Sequence, residues 1–422
     1  MCSTKIPYDD DWITVDVPAS ATLRIVDLNQ VGGVADETAE IERALDNPVG
    51  HGGLETLAKG KRTVVVIDDN TRPTPVNKIL PVLLDRLNHA GIEDRDIEVL
   101  VAQGTHRQMS DGELRKKIGE TQRRISVRKH YWREKDMLVD LGKTPSGVPL
   151  SVNRAFLDSS IRIGIGHIAP HCQAGWTGGA KIVQPGVCGA ETTDYTHWMS
   201  AKFDVRELLG IADNPVRLEI EDTVRNIGLD FIVNTVLNRK EQIVKAVAGD
   251  FVKAHRQGVE AAKEIYRASI PSKADIVIAD SNPPTYSIDL WQASKAIIAS
   301  YLAVKPGGTI IVFAPCREGV SPEHPELAKF GHRPYEEVKS LVESGAMNDL
   351  NAASASAQIG QVLADNVTID LYSRISRAET ERLGFEYVEN PQTAINRALE
   401  RHGADSKILV LRNGSEILPT TT

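Results

Sequence analysis

The sequence predicts an α/β protein of two domains, and three observations predict it. At 422 residues the chain has room for two or three hydrophobic cores. Short apolar runs ending in polar loops alternate with helical patterns, which is how strands feeding helices read. At Ser269–Lys273 proline and serine break a helical pattern, and a fresh apolar run, Ala274–Ala279, follows at once. The expected division is residues 1–271 and 272–422, with the last residues free to return to the first domain.

The elements follow in order. Thr63–Asp69 (TVVVIDD) is an apolar run closed by two carboxylates, then a loop with two prolines, then a helical pattern over 76–90. Asp96–Ala102 repeats the design and ends in Gln103-Gly104-Thr105-His106-Arg107, before a helix opened by Ser110-Asp111. Ser160–His167 is a third buried strand, followed by a loop, Ala174–Gly189, that holds five glycines. That much glycine implies close backbone approach or positive φ. Helical patterns cover 201–209, 215–227 and 251–268, with a hairpin over 230–247. The second unit reads as strand 274–279, helix 289–304, a Pro-Gly-Gly turn and strand 309–314. Helices around 326–330, 335–344 and 352–363 follow, and strands 366–371 and 408–411 close the chain.

Composition excludes several classes. Apolar residues make 41% of the chain and charged residues 25%, an ordinary globular balance, and no apolar run approaches the length of a membrane span. The first ten residues lack the cationic patch and apolar core of a secretory signal, so a cytoplasmic location is expected. The net charge of −8 argues against a nucleic-acid partner, and the densest basic stretch, 115–133, reads as a solvated face. Four cysteines, with no C-x-x-C pair among them, fit a reducing compartment.

Polar side chains at the carboxyl ends of neighbouring strands are where open α/β sheets bind ligands. In Asp68-Asp69-Asn70-Thr71-Arg72 the guanidinium offers a planar fork to a carboxylate or phosphate, though a capped turn with a surface arginine reads equally well. His106 and His171 stand at separate strand ends and suit an acid–base pair, or are unrelated structural histidines. Gly175-Trp176-Thr177-Gly178-Gly179-Ala180-Lys181-Ile182 approaches a P-loop. Ala180 stands where its second glycine is needed and Ile182 where its magnesium-binding hydroxyl belongs, so nucleoside-triphosphate hydrolysis is not expected. Lys181 instead suits a covalent anchor if burial lowers its pKa. His197 is a candidate ligand for a soft metal, with no second His or Cys at chelate spacing. Trp176 and Trp291 are candidates to shape a pocket, or are core aromatics.

Taken together, DDNTRPTP (68–75), GTHR (104–107), HIAPHCQAGWTGGAKIVQPG (167–186), YTH (195–197) and WQASK (291–295) resemble the nickel-dependent lactate racemase family of 2-hydroxyacid racemases and epimerases. The resemblance spans both expected domains. It implies two Rossmann-like α/β domains with the active site in the cleft between them, the N-terminal one holding the cofactor and catalytic groups. It also implies a nickel-pincer nucleotide, the nickel complex of pyridinium-3,5-bisthiocarboxylic acid mononucleotide, made by separate cofactor-synthesis enzymes. Lys181 resembles its covalent anchor and His197 its nickel ligand, which accounts for a metal with so few protein ligands. Asp69, Thr71, Arg72, Gly178 and Gly179 resemble cofactor-binding residues. His106 and His171 resemble the two general acid/bases, and Arg72, Gln292 and Lys295 the substrate-orienting residues.

The chemistry this implies is inversion of C2 in a small 2-hydroxy acid. The C2–H beside a carboxylate is hardly acidic, so moving hydride to an electrophilic cofactor is easier than removing a proton. The flat 2-keto acid then regains hydride on either face. The substrate is lactate or a related hydroxy or sugar acid. Two other readings compete. One is a zinc hydrolase with His106, His171 and His197 as ligands, and the other is a non-enzymatic carrier of the nickel nucleotide.

Overall fold

The computed structural model describes residues 2–57 and 62–421. Thr63–Asp68 lies at the centre of the first sheet. Val64 and Val66 pack into one apolar layer and Val65 and Ile67 into another, all four fully buried. Successive side chains of a strand point to opposite faces, so a strand covered on both faces must read as an unbroken apolar run. Each such side chain contributes about 1.5–3 kcal/mol by leaving water.

This first sheet has six strands in the order Ile243–Gly249, Phe231–Leu237, Ile161–His167, Thr63–Asp68, Ile97–Ala102, Ser126–Lys129. All neighbours are parallel except the first pair, which forms the hairpin. From 63–68 the chain steps outward to 97–102 and 126–129, then crosses back to 161–167 on the other side. That reversal opens a crevice at the carboxyl ends of 63–68, 97–102 and 161–167.

A second sheet of six strands runs Glu386–Tyr387, Thr368–Tyr372, Val304–Phe313, Ala274–Asp280, Lys407–Leu411, Thr22–Val26, all parallel. The edge strand Thr22–Val26 comes from the start of the chain, so residues expected to belong with the first domain complete the second sheet. An N-terminal hairpin, Cys2–Tyr8 with Asp11–Val17, packs Ile6, Val15 and Val17 into the same core. The break at 269–273 also holds a strand, Arg267–Ile270, which pairs in parallel with Leu418–Thr421 at the far end of the chain.

The helix expected over 201–209 does not form. The Gln361 side chain takes the Val205 N–H at 3.2 Å and Asp204 takes that of Arg206 at 2.8 Å. With those donors engaged the segment keeps only a single 3-10 turn, Val205–Glu207. Much of the basic stretch 115–133 is paired with carboxylates. Arg124 meets Asp85 and Asp94, Arg128 meets Glu98, and Arg133 meets Glu323. No helix among the described residues is long and apolar enough to cross a membrane.

Candidate active site

The crevice of the first sheet faces helices Leu290–Ala303 and Leu350–Ala364 of the second body, and between them lies a cleft of about 1090 Å³, its mouth included. Asp69, Thr71, Arg72, His106, His171, Gly178, Lys181, His197, Gln292 and Lys295 all line it. Gly179 does not. With φ +60° and a Cβ position 3.0 Å from both the His255 ring and the Phe251 carbonyl, it is a packing glycine. Trp176 is fully buried in the core, while Trp291 borders the cleft.

On the first wall Asp69, 2% exposed, accepts from the Thr71 N–H at 3.0 Å and hydroxyl at 2.6 Å, and its other oxygen meets His106 Nδ1 at 2.8 Å. Burial alone pushes its carboxyl pKa up. The His106 ring, Arg72 and the Thr71 hydroxyl pull harder and hold it well below the usual range. A carboxylate at Nδ1 fixes the His106 tautomer, with the proton on Nδ1 and the lone pair on Nε2. That Nε2 meets the Gln292 side-chain amide at 3.1 Å, and Gln292 Oε1 accepts from Lys295 Nζ at 2.6 Å. Gln292 and Lys295 share a helix face at i, i+3, so both reach across to the first body.

His171 has the opposite polarity. Its Nδ1 accepts from the backbone N–H groups of Gln173 (3.2 Å) and Ala174 (3.3 Å), which leaves its proton on Nε2. Burial, then Lys181, Lys295 and Arg72, keep it neutral by holding its pKa well below the ordinary value. His197 donates from Nδ1 to the Thr193 carbonyl one helical turn back, at 2.9 Å, so Nε2 is free as a lone pair. Burial and Lys181 bring its pKa down to about 3. Burial, with Arg217 and Arg72 nearby, brings the Lys181 amine down to about 7. Lys295 is lowered too, by burial and by Arg72.

Several contributors were not visible in the sequence. Arg217, fully buried, donates to the carbonyls of Ala174 (3.1 Å), Trp176 and Gly178 (3.2 Å), bracing the glycine-rich loop from behind. Asn234 receives the Gly179 N–H at 2.8 Å. A Cβ on Gly178 would sit 2.7 Å from that same Asn234 oxygen, so glycine is needed there at φ +77°. His324 is held by Asp349 (2.7 Å), Thr105 (3.2 Å) and the stacked Trp291 ring (4.4 Å). An arginine in an amphipathic helix or a lone histidine in a loop carries no local signal of such a role. The three-histidine metal site is not formed: among the described residues no group of three or more His, Cys, Asp or Glu side chains is placed to hold a metal ion.

Fold and site define an α/β enzyme whose two bodies close on a cleft that carries two histidines of opposite proton polarity. The chain matches the family models described as lactate racemase N-terminal domain (residues 8–207) and lactate racemase C-terminal domain (270–418). It is 28% identical to the lactate racemases of Lactiplantibacillus plantarum and Thermoanaerobacterium thermosaccharolyticum, over 99% of this chain and 100% and 99% of theirs. The solved lactate racemase apoprotein of T. thermosaccharolyticum superposes with a TM-score of 0.87 at 26% identity, covering 99% of this chain and all of that one. A Thermotoga maritima protein of known structure, at 22% identity and a TM-score of 0.74 over 93% of this chain, shares the fold. The chain belongs to the lactate racemase family and is an isomerase.

Proposed function

We propose that the protein inverts C2 of a 2-hydroxy acid by proton-coupled hydride transfer, using a nickel-pincer nucleotide attached through Lys181. The observation that carries this reading is one cleft holding an acceptor histidine, a donor histidine, a lysine with a pKa of about 7 and a histidine with a free Nε2. The residues fit the group. Burial brings the Lys181 amine down toward neutral pH, which favours the uncharged form an amine anchor requires, and a lone His197 suits a metal whose other ligands are not supplied by the protein. When bound, the nucleotide supplies an electrophile able to take and return the C2 hydrogen as hydride.

The chain's own residues do the rest. Arg72 and Lys295 present cations to the substrate carboxylate. Lys295 also holds the Gln292 carbonyl, which turns the Gln292 amide toward His106. His106 accepts the hydroxyl proton at Nε2, with Asp69 stabilising the imidazolium, while His171 presents an N–H to the oxygen of the flat keto acid. The two histidines follow the strands that flank 63–68, an arrangement that suits one on either side of C2. Closure of the second body over the cleft excludes water from the reacting carbon.

The test follows the C2 hydrogen. Protein produced together with cofactor-synthesis enzymes is given a 2-hydroxy acid deuterated at C2 in ordinary water. Deuterium retained in the inverted product at low conversion is the expected result. Washout would show exchange through His106 and His171 and overturn the hydride route.

A further inference from the structure

The proposed reaction uses His106 and leaves another buried histidine, His324 of the second body, without a task. His324 is 2% exposed and touches the residue that precedes each of the two groups meeting at His106 Nε2. Its own Nε2 lies 3.2 Å from the hydroxyl of Thr105, the neighbour of His106 in the chain. Its ring stacks at 4.4 Å and 18° on Trp291, the neighbour of Gln292. We propose that His324 is a positioning residue, which fixes from the second body the distance and angle at which His106 and Gln292 meet and so aligns the proton-accepting histidine once the two bodies are closed. The inference rests on the C2-inversion reading above.

The ring is held in one orientation. Asp349, at 2.7 Å from Nδ1, places the proton there and leaves a lone pair on Nε2 to accept from the Thr105 hydroxyl. Asp349 is itself fixed, because its other carboxylate oxygen caps helix Leu350–Ala364 by accepting the Ala352 N–H at 3.0 Å, and Glu326 takes its backbone N–H at 3.0 Å. The histidine is thus aimed by a regular element, which places a side chain more narrowly than a loop does.

The segment that carries His324 is tied to both bodies. On its own body, Gly319 and Val320 accept the N–H groups of Leu290 and Trp291 at 3.0 Å each, donors that the first turn of helix Leu290–Ala303 cannot satisfy itself. The segment and the helix start that carries Gln292 therefore form one piece. On the other body, Arg133 donates to the Glu323 carboxylate and carbonyl, both at 2.9 Å, and the Trp132 ring lies 6.0 Å from the His324 ring. His324 sits where these ties converge. A displacement of about 1 Å at a reacting group costs about 10²-fold in rate, so a link of this kind acts on turnover without touching substrate.

Three variants separate hydrogen bonding from packing. His324→Phe keeps a ring against Trp291 and removes both nitrogens. Thr105→Val removes the hydroxyl from the other side with little change of shape, and His324→Gln returns a donor and an acceptor. In holoenzyme with its Lys181 adduct verified by intact mass, kcat of the first two should fall about 10²-fold with KM little changed, since Arg72 and Lys295 still face the substrate carboxylate. His324→Gln should recover most of that loss. The double variant His324→Phe, Thr105→Val should lose no more than the worse single one, because both cut the same link. Losses that multiply, or a raised KM with kcat intact, would overturn the assignment.

Long-range proton–nitrogen spectra of the full chain, labelled with nitrogen-15 at histidine, give a readout free of turnover. The His106 Nε2 signal should move in His324→Phe and in Thr105→Val and return in His324→Gln. A signal unmoved by the first two would show that His324 only packs the seam. If the wild-type holoenzyme inverts none of lactate, malate and a six-carbon aldonate, the C2 reading falls and the positioning role with it. Inversion by the wild type beside an unmoved His106 signal overturns the role of His324 alone.

Discussion

Lys181 shows how one residue couples burial to chemistry. Its amine titrates near 7 in the folded chain against 10.5 ordinarily, so between those values the unfolded state holds the extra proton and stability rises with pH. Below pH 7 the folded state must carry the buried charge, and the full penalty is present. Lys181→Met should therefore stabilise the chain by about 1–3 kcal/mol at pH 6, with the gain shrinking as the pH approaches 10, in paired urea melts. The histidines should separate by role. His197→Ala should lose nickel from protein matured with cofactor, while His106→Ala and His171→Ala keep the metal and lose about 10²–10⁴-fold in turnover, by metal analysis beside kinetics. Equal metal loss in all three would merge the ligand and acid–base roles.

At the scale of elements, the glycine-rich loop is a structure held from behind. Arg217 projects from helix Pro215–Ile227 into three of its carbonyls, and Gly175, at φ +73°, lies so close to Ile211 that a Cβ would meet its carbonyl at 2.0 Å. Arg217→Leu leaves those carbonyls without their donor and should cost about 3–5 kcal/mol in a denaturant melt. It should also reduce the Lys181 adduct seen by mass spectrometry in protein matured with cofactor, because the loop that aims Lys181 has lost its brace. A stability loss with full adduct would show that the loop keeps its shape unaided.

For the whole molecule, function depends on how the two bodies meet. The seam carries Gln292 to His106, His324 to Thr105, Arg107 to Glu318 and Gln173 to Ser354. The Arg107–Glu318 pair is about one-third exposed, so it contributes only about 0–1 kcal/mol to stability, yet it spans the seam beside His106. Glu318→Gln should therefore change the melting free energy by less than about 1 kcal/mol while shifting kcat/KM severalfold and flattening its salt dependence. Steady-state kinetics at two ionic strengths, set beside a melt, check this.

Much of this was legible in the chain itself. Strands 63–68, 97–102 and 161–167 and helix 215–227 show in runs of contiguous residues, because burial on two faces or along one stripe leaves a periodic local pattern. The candidate residues likewise sit in short motifs, at strand ends for Asp69, Arg72, His106 and His171 and on helices for His197, Gln292 and Lys295. Only the tertiary structure decided who meets whom. Asp69 reaches His106 across 37 positions and Gln292 reaches it across 186. Thr22–Val26 closes the second sheet beside Lys407–Leu411, and Arg267–Ile270, which read as the end of a helix running into a linker, is a strand because Leu418–Thr421 returns to pair with it. The polarity of the two histidines also belongs to the fold, since it is set by a carboxylate on one Nδ1 and two backbone N–H groups on the other. Local sequence specifies periodicity and turn chemistry, whereas a partner far along the chain is chosen by packing of the whole, which no local pattern encodes.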